Sequence, residues 1–247
     1  MLLPLSIFVM FVGCKNEPAE LIFEELAIEQ VSEMNCKPEE ENCAFISLHT
    51  PWVLDPGTLG KEVNYLIEKH IIHLVDFQEE EDFKSLEALS QSFIDNYEQT
   101  AKEFPEYNIP WEASVEGVIT HNSPELITIK YNLAIFTGGA HGYTSVSYLN
   151  INPDNGQRLL NKDLFTEEFE AYAEALFREK NEIGKGESIN STGFFFENDE
   201  FQLPQNIGFT KDKLILQYNA YEVASYAEGG IRLEIPMVQA TPFLKKR

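Results

Sequence analysis

Apolar and polar residues alternate with a period of two along three neighbouring segments of the chain. Residues 111–120 and 126–136 alternate in this way on either side of a turn-forming segment, 121–124, which predicts two long antiparallel strands joined as a hairpin. The alternation resumes over 143–151, after the glycine-rich turn 137–142. We therefore expect a three-stranded meander in the middle of the chain.

Shorter strand-like segments lie on both sides of this meander. Strands are expected at 19–32, 44–53, 207–209, 214–218 and 231–235. The segment 182–199 has no regular period. The strands thus fall into an early group and a late group.

Three other segments carry apolar residues at helical spacing. The first begins at Thr58, the second spans 83–104 and the third spans 166–180. Thr58 and Thr166 are expected to cap their helices, because a threonine hydroxyl accepts a hydrogen bond from a free backbone N–H of the first turn.

The order of these elements predicts the fold class. Runs of strands beside grouped helices are typical of an α+β fold, in which antiparallel β-meander sheets pack against a few amphipathic helices. We expect two small α+β subdomains, at 21–136 and 137–247. The glycine-rich turn opens the second of them.

The amino terminus has the pattern of a targeting segment. Residues 1–13 contain no charged side chain and are too short to span a bilayer, which predicts a signal peptide. The letters FVGC, residues 11–14, resemble the lipobox of bacterial lipoproteins. This resemblance implies that Cys14 is acylated and anchors the protein to a membrane of the bacterial cell envelope, with 14–20 as a tether. A simple secretory signal and an uncleaved anchor are the alternatives.

The other two cysteines, Cys36 and Cys43, bracket an acidic, turn-like segment between two predicted strands. Their spacing differs from the C-x-x-C pattern of zinc ribbons and thioredoxin-like sites, and the targeting segment indicates an oxidising compartment. We therefore expect a disulfide that closes a hairpin. The alternative is two free buried thiols.

The net charge and the small number of Cys and His residues limit the kinds of partner and cofactor that we expect. The chain has 18 Lys and Arg against 41 Asp and Glu, a net charge of −23, which disfavours nucleic acid as a partner and favours cationic proteins. It has three Cys and five His. His70 and His73 lie one helical turn apart, but no third ligand accompanies them, so we expect no metal and no cofactor.

Three segments resemble one family of envelope proteins. They are TGGAHG at 137–142, NPDNGQRLLNKDLF at 152–165 and FTKDKLILQYNAYEVASYAEGG at 209–230. Together they resemble the paired domain in the extracellular part of lysozyme-sensing anti-sigma factors. That pair also accompanies the catalytic domain of some peptidoglycan N-deacetylases and occurs alone in many lipoproteins. We see no sigma-binding segment, transmembrane helix or polysaccharide-deacetylase domain in the sequence, so neither regulation nor deacetylation is expected to carry over.

Candidate ligand-binding residues come from the first and last of these segments. They are Gly138, Gly139, His141, Tyr143, Tyr218, Tyr221, Glu222 and Tyr226. An imidazole in a glycine-rich turn has room to bind a carboxylate, a metal or a sugar hydroxyl, and it also suits hydrogen bonding to backbone groups. Tyrosine suits stacking on a glycan or a protein, with core packing as the alternative. No catalytic motif accompanies His141, so we assign no catalytic residue.

These observations predict a non-catalytic, membrane-anchored envelope domain that recognises a cationic protein, such as lysozyme, or cell-wall glycan. The alternative is an envelope polysaccharide hydrolase or deacetylase, which would require His141 in an open cleft near two carboxylates. A structural role in a larger envelope complex is a third possibility.

Overall fold

The fold is seen in a computed structural model, which describes residues 21–37, 42–54, 57–76, 82–106 and 109–245. The predicted signal peptide, Cys14 and the tether lie outside these described residues and stay predictions. Within the described residues, no helix combines the length and the apolar character needed to cross a membrane.

The described residues form eight strands and five helices. The strands are β1 (Phe23–Val31), β2 (Phe45–Val53), β3 (Glu112–Asn122), β4 (Ile127–Phe136), β5 (Tyr143–Ile151), β6 (Asn206–Phe209), β7 (Lys213–Tyr218) and β8 (Ile231–Pro236). The helices are α1 (Thr58–Val75), α2 (Leu86–Glu103), α3 (Asn161–Leu164), α4 (Glu168–Lys180) and α5 (Met237–Ala240). This mixture confirms the predicted α+β class.

The first sheet has five strands in the order β1–β2–β3–β4–β5. Its neighbours are antiparallel except for β2 and β3, which run parallel with Phe45 opposite Glu112. This pair departs from the expected antiparallel arrangement because both α1 and α2 lie between the two strands in the chain. Neighbouring strands of a sheet run parallel when the chain between them crosses one face and enters the next strand from the same end of the sheet.

Helices α1 and α2 pack on one face of this sheet and bury its core. The buried side chains of this layer include Ile46, Leu48, Val63, Ile67, Ile71, Leu89, Val115, Ile129 and Leu133. Successive residues of a strand point to opposite faces, so the alternate residues of β3 and β4 face away from the helices. Small and polar side chains occupy much of that outer face, including Ser114, Glu116 and Asn132.

Neither threonine predicted as a helix cap, Thr58 or Thr166, occupies the cap position of its helix. Thr58 is the first residue of α1, and Gly57, with an extended ψ of 176°, is the cap. Glu167 occupies the cap position of α4. Thr166 lies one residue outside because its N–H donates to the Phe243 carbonyl, at 2.8 Å, in a short strand-like pairing.

The second sheet, β6–β7–β8, is antiparallel and packs with α4 around an aromatic core. Phe177 of α4 is 0% exposed. Segment 182–199 contains only a short 3₁₀ turn, in agreement with its lack of period. Asn190 holds this segment in place, since its side chain bonds both the N–H and the carbonyl of Phe196.

Strand β6 packs against β5, which joins the two sheets. The Tyr148 ring lies so close over Gly208 that a Cβ there would be 2.0 Å from Tyr148 Cδ1. Asn150 Nδ2 donates to the Ile207 carbonyl at 2.7 Å. The absence of a side chain at Gly208 therefore permits the close approach of the two sheets.

The predicted division of the chain between residues 136 and 137 stays a prediction. The five-stranded sheet includes β5, which follows this position, while β6, β7 and β8 form a separate sheet. The first sheet therefore extends to Ile151.

Cys36 and Cys43 are joined by a disulfide, as predicted. The bond lies in the connection between β1 and β2, and Lys37 pairs with Asn42 inside it. The disulfide therefore closes the β1–β2 hairpin.

Candidate functional site

The glycine-rich turn between β4 and β5 lies against the segment 219–230 between β7 and β8. Tyr226 Oη donates to the Gly142 carbonyl at 3.1 Å, and His141 Nδ1 donates to the same carbonyl at 2.9 Å. The His141 and Tyr226 rings stack with centroids 4.1 Å apart, and the Tyr221 and Tyr226 rings stack at 5.6 Å. We call these three residues the aromatic stack.

Backbone conformation explains the glycines of this turn. Gly138 and Gly139 both have φ of 95°, a region that glycine adopts without the steric cost of a Cβ. A Cβ on Gly139 would meet nothing within 4 Å, so the requirement is conformational and does not come from close packing. The turn thereby brings His141 towards Tyr226.

All three members of the aromatic stack are exposed. Tyr221 is 56% exposed and Tyr226 is 40% exposed, and His141 is also at the surface. Tyr221 has a positive φ of 71°, which is uncommon for a residue with a Cβ. Exposed, ordered aromatic rings of this kind offer an apolar face to a ligand.

A pocket of about 610 Å³ adjoins this stack, between the outer face of the first sheet and segment 219–230. We call it the junction pocket. Its lining includes Ser114, Glu116, Asn132, Thr144, Gln217, Asn219 and Tyr226. Glu116 and Asn132 are directly opposite each other in the β3–β4 pairing, so both project from the same face of the sheet.

Several polar side chains of the junction pocket have hydrogen-bonding capacity to spare. Within the part of the chain that the structure describes, no side-chain bond or ion pair engages the Glu116 carboxylate or the Asn132 amide. Gln217 is 7% exposed and donates from Nε2 to the Tyr218 carbonyl at 2.9 Å. These groups can therefore bond a polar ligand without breaking an existing side-chain bond.

Asn219 fixes the pocket wall to β5. Its Oδ1 accepts from the Val146 N–H at 2.9 Å, and its Nδ2 donates to the Val146 carbonyl at 3.1 Å. Nδ2 also donates to Glu222 Oε1 at 3.2 Å. The Asn219 amide thus bonds both the N–H and the carbonyl of one β5 residue, as the backbone of a paired strand does. The same amide also orients Glu222.

Glu222 lies beside this amide, and its charge acts on the Tyr143 phenol. Desolvation by the surrounding protein raises the pKa of the Glu222 carboxyl. Desolvation also raises the pKa of Tyr143, and the Glu222 charge adds to that rise. The phenol therefore stays protonated at neutral pH.

Tyr218 differs from the other predicted ligand-binding residues, since it lies in the core of the second half. It is 2% exposed, and its hydroxyl donates to the Gln202 carbonyl at 2.6 Å. Its ring packs against Phe177 and Phe196. Tyr218 is therefore mainly a core residue, and its contact with a ligand stays a prediction.

The contacts of His141 bear on the enzymatic alternative. In the described residues, its contacts are the Gly142 carbonyl and the Tyr226 ring, and no carboxylate lies within hydrogen-bonding distance. General acid–base chemistry at His141 would need such a partner from the protein or the substrate.

A serine–histidine pair occurs elsewhere, between α1 and β5. His70 Nε2 lies 2.9 Å from Ser147 Oγ, but the two residues are only 7% and 5% exposed. Burial lowers the pKa of His70 to about 3, so the ring is neutral at ordinary pH. The pair therefore satisfies buried polar groups of α1 and β5. No group of three potential metal ligands occurs in the described residues.

Sequence reasoning did not identify Ser114, Glu116, Asn132 or Gln217 as site residues. From the alternation of residues in β3, β4 and β7, the sequence predicts which side chains of each strand lie on the same face of a sheet. The alternation does not predict that segment 219–230 folds over that face. The pocket depends on this long-range contact.

Two known families match parts of the chain. Residues 162–237 match the family described as "Protein of unknown function (DUF3298)", and residues 38–144 match the family described as "Deacetylase PdaC". Residues 162–237 are therefore similar to the DUF3298 family, and residues 38–144 are similar to the PdaC family. The junction pocket draws Glu116 and Asn132 from the second match and Gln217 and Tyr226 from the first. No curated protein matches the chain.

Solved structures of DUF3298 proteins share the fold. A crystal structure of a DUF3298 family protein from Pseudomonas aeruginosa PAO1 is 20% identical, with a TM-score of 0.66, and the match covers 92% of this chain and 96% of that one. A member of the family from Bacteroides fragilis NCTC 9343 is 18% identical, with a TM-score of 0.65, over 92% and 94% of the two chains. At these identities the likeness concerns the fold alone.

Proposed function

We propose that this protein is a non-catalytic recognition domain of the bacterial cell envelope that binds cell-wall glycan at the junction pocket. The observation that carries this proposal is the combination of exposed, stacked aromatic rings with uncommitted polar side chains around one pocket. Sugars present an apolar C–H face and a rim of hydroxyl groups, which these two kinds of side chain complement.

The polar groups suit hydroxyl recognition in particular. A carboxylate and an amide that face each other across β3 and β4, Glu116 and Asn132, can accept from and donate to neighbouring hydroxyls of one sugar ring. A hydrogen bond to a charged acceptor such as Glu116 is stronger than a bond between neutral groups. The stack beside the pocket would then contact the sugar face.

The proposal assigns no catalysis to the chain. His141 has contacts only with a backbone carbonyl and a ring in the described residues, and His70 is buried. The deacetylase name of the family matched by residues 38–144 does not by itself bring activity to this chain. We expect no release of acetate from acetylated muropeptides.

A calorimetric titration of the purified protein with soluble muropeptides tests glycan binding. We expect saturable binding, and Asn132→Ala and Tyr226→Ala should each weaken it about tenfold, the cost of one or two lost contacts. Asn96→Ala is the matched control, because Asn96 is exposed on α2, away from the pocket. Binding that is absent, or equal for all variants, would contradict the proposal.

Charge supports a second candidate, a cationic protein such as lysozyme. The net charge is −23, and the outer face of β1 and β2 carries Glu25 and Glu29, which both bond His49. The same titration with lysozyme should then show binding at low salt that weakens as salt rises. Absence of binding at low salt would remove this candidate.

The proposed location in the envelope rests on Cys14. Only a thiol at the processed terminus accepts the thioether-linked lipid, so wild-type protein should incorporate labelled palmitate and partition into detergent. Cys14→Ser should incorporate no palmitate and should be uncleaved or soluble, with the domain still folded. Cys36 and Cys43 cannot substitute, since they are bonded to each other. Equal palmitate labelling of the two proteins would show that the lipoprotein assignment is wrong.

A further inference from the structure

A second pocket, of about 410 Å³, lies between the turn that follows β3 and the carboxy-terminal segment. Its apolar lining consists of Leu126, Leu164, Phe209, Met237 and Leu244. These residues come from both halves of the chain, at a junction of the kind where small-molecule sites often occur. We call it the C-terminal pocket.

Hydrogen bonds to backbone carbonyls hold the walls of this pocket. Lys245 N–H donates to the Leu164 carbonyl at 2.9 Å, which fixes the carboxy-terminal segment against α3. Thr120 Oγ1 donates to the Phe209 carbonyl at 2.7 Å, which fixes β6 against β3. A ligand would therefore enter a largely preformed space and lose little affinity to ordering the protein.

One lysine, one carboxylate and one imidazole lie on the lining of this pocket. Lys245 lines it, and in the described residues its ammonium group bonds the Lys162 backbone carbonyl, at 2.6 Å, and no carboxylate. Glu125 is the carboxylate on the lining, and His121 adds an imidazole.

We propose that the C-terminal pocket binds a single-chain amphiphile with an anionic headgroup, of the class of medium-chain fatty acids. The apolar walls would cover the chain, and Lys245 would pair with the carboxylate. A pocket of this volume suits one acyl chain and is too small for the two chains of a phospholipid. The site is separate from the junction pocket, so either proposal can fail alone.

Titration of the purified protein with decanoate, below the concentration at which it forms micelles, tests this site. Decanoate should bind at least tenfold more tightly than octanoate, because each buried methylene contributes about fourfold. Decyltrimethylammonium has the same tail with the opposite charge and should bind about tenfold more weakly than decanoate. Equal affinity for the two decyl compounds would overturn the proposal.

Two exposed substitutions, chosen to leave the core intact, should move the affinity in opposite directions. Lys245→Gln should weaken decanoate binding by about threefold to fivefold, and Glu125→Gln should strengthen it by about twofold. Lys211→Gln is the control, since Lys211 is an exposed lysine that does not line the pocket. Unchanged affinity in Lys245→Gln, or binding to anionic phospholipid vesicles without binding to free decanoate, would refute the proposed site. Muropeptide binding should be the same in all these variants.

Discussion

Phe177→Ala is expected to lower the free energy of unfolding by about 4 kcal/mol, the cost of a large cavity in a close-packed core. Phe177 is 0% exposed, and its ring centroid lies between 4.9 and 6.1 Å from four other aromatic rings. Those rings belong to Phe194, Phe196, Phe201 and Tyr218. Their contacts with Phe177 connect α4, the irregular segment and β7, so the loss should affect the whole second half.

Urea unfolding of the variant and of a matched control measures this effect. Phe195→Ala removes a phenylalanine from the irregular segment 182–199, but Phe195 is 47% exposed and should contribute less than about 1 kcal/mol. The urea concentration at the midpoint of unfolding should fall strongly for Phe177→Ala and little for Phe195→Ala. Similar midpoints for the two variants would mean that the aromatic core does not hold the second half together.

Gly208→Ala should lower the free energy of unfolding by about 3 kcal/mol, because the new methyl group would occupy the space of the Tyr148 ring. The distances from that Cβ to Cδ1, Cε1 and Cγ of Tyr148 would be 2.0, 2.1 and 2.4 Å. Real contacts of a Cβ are never so short, so β6 must move away from β5 or the ring must leave its position. Either change opens the junction between the two sheets.

A double-mutant cycle separates this steric effect from a general loss of stability. Tyr148→Ala alone should be destabilising, since Tyr148 is 4% exposed, but it removes the ring that the new methyl group would strike. The double variant should therefore lose about 2 kcal/mol less than the sum of the two single variants. Gly57→Ala is the control, because a Cβ there meets nothing within 4 Å. Simple additivity would contradict the proposed clash.

Much of this fold could be predicted from local patterns. Period-two alternation identified the β3–β4–β5 meander, and helical spacing identified α1, α2 and α4, because each pattern reports which side of an element is buried. The parallel pairing of β2 with β3 could not be predicted in this way. It depends on where a long connection returns to the sheet, which no short window of sequence records.

The candidate site was predictable in part for a related reason. His141, Tyr221 and Tyr226 stood out as unusual residues in turns, and the structure stacks them. Tyr218 has the same chemistry, but its position in β7 buries it in the core. Glu116 and Asn132 have no distinguishing local pattern, and only the packing of a distant segment makes them part of a pocket.

The parallel seam between β2 and β3 has a consequence for the order in which the chain folds. The β1–β2 hairpin and the β3–β4–β5 meander each form from contacts between neighbours in sequence, which close small loops. The seam joins strands that are separated in the chain by both α1 and α2. Its formation must therefore overcome the entropy cost of closing a long loop before the contacts of the seam contribute to stability. We therefore expect hairpin and meander to form early and the seam to set the folding rate, with the edges of β2 and β3 open to wrong pairing until it closes.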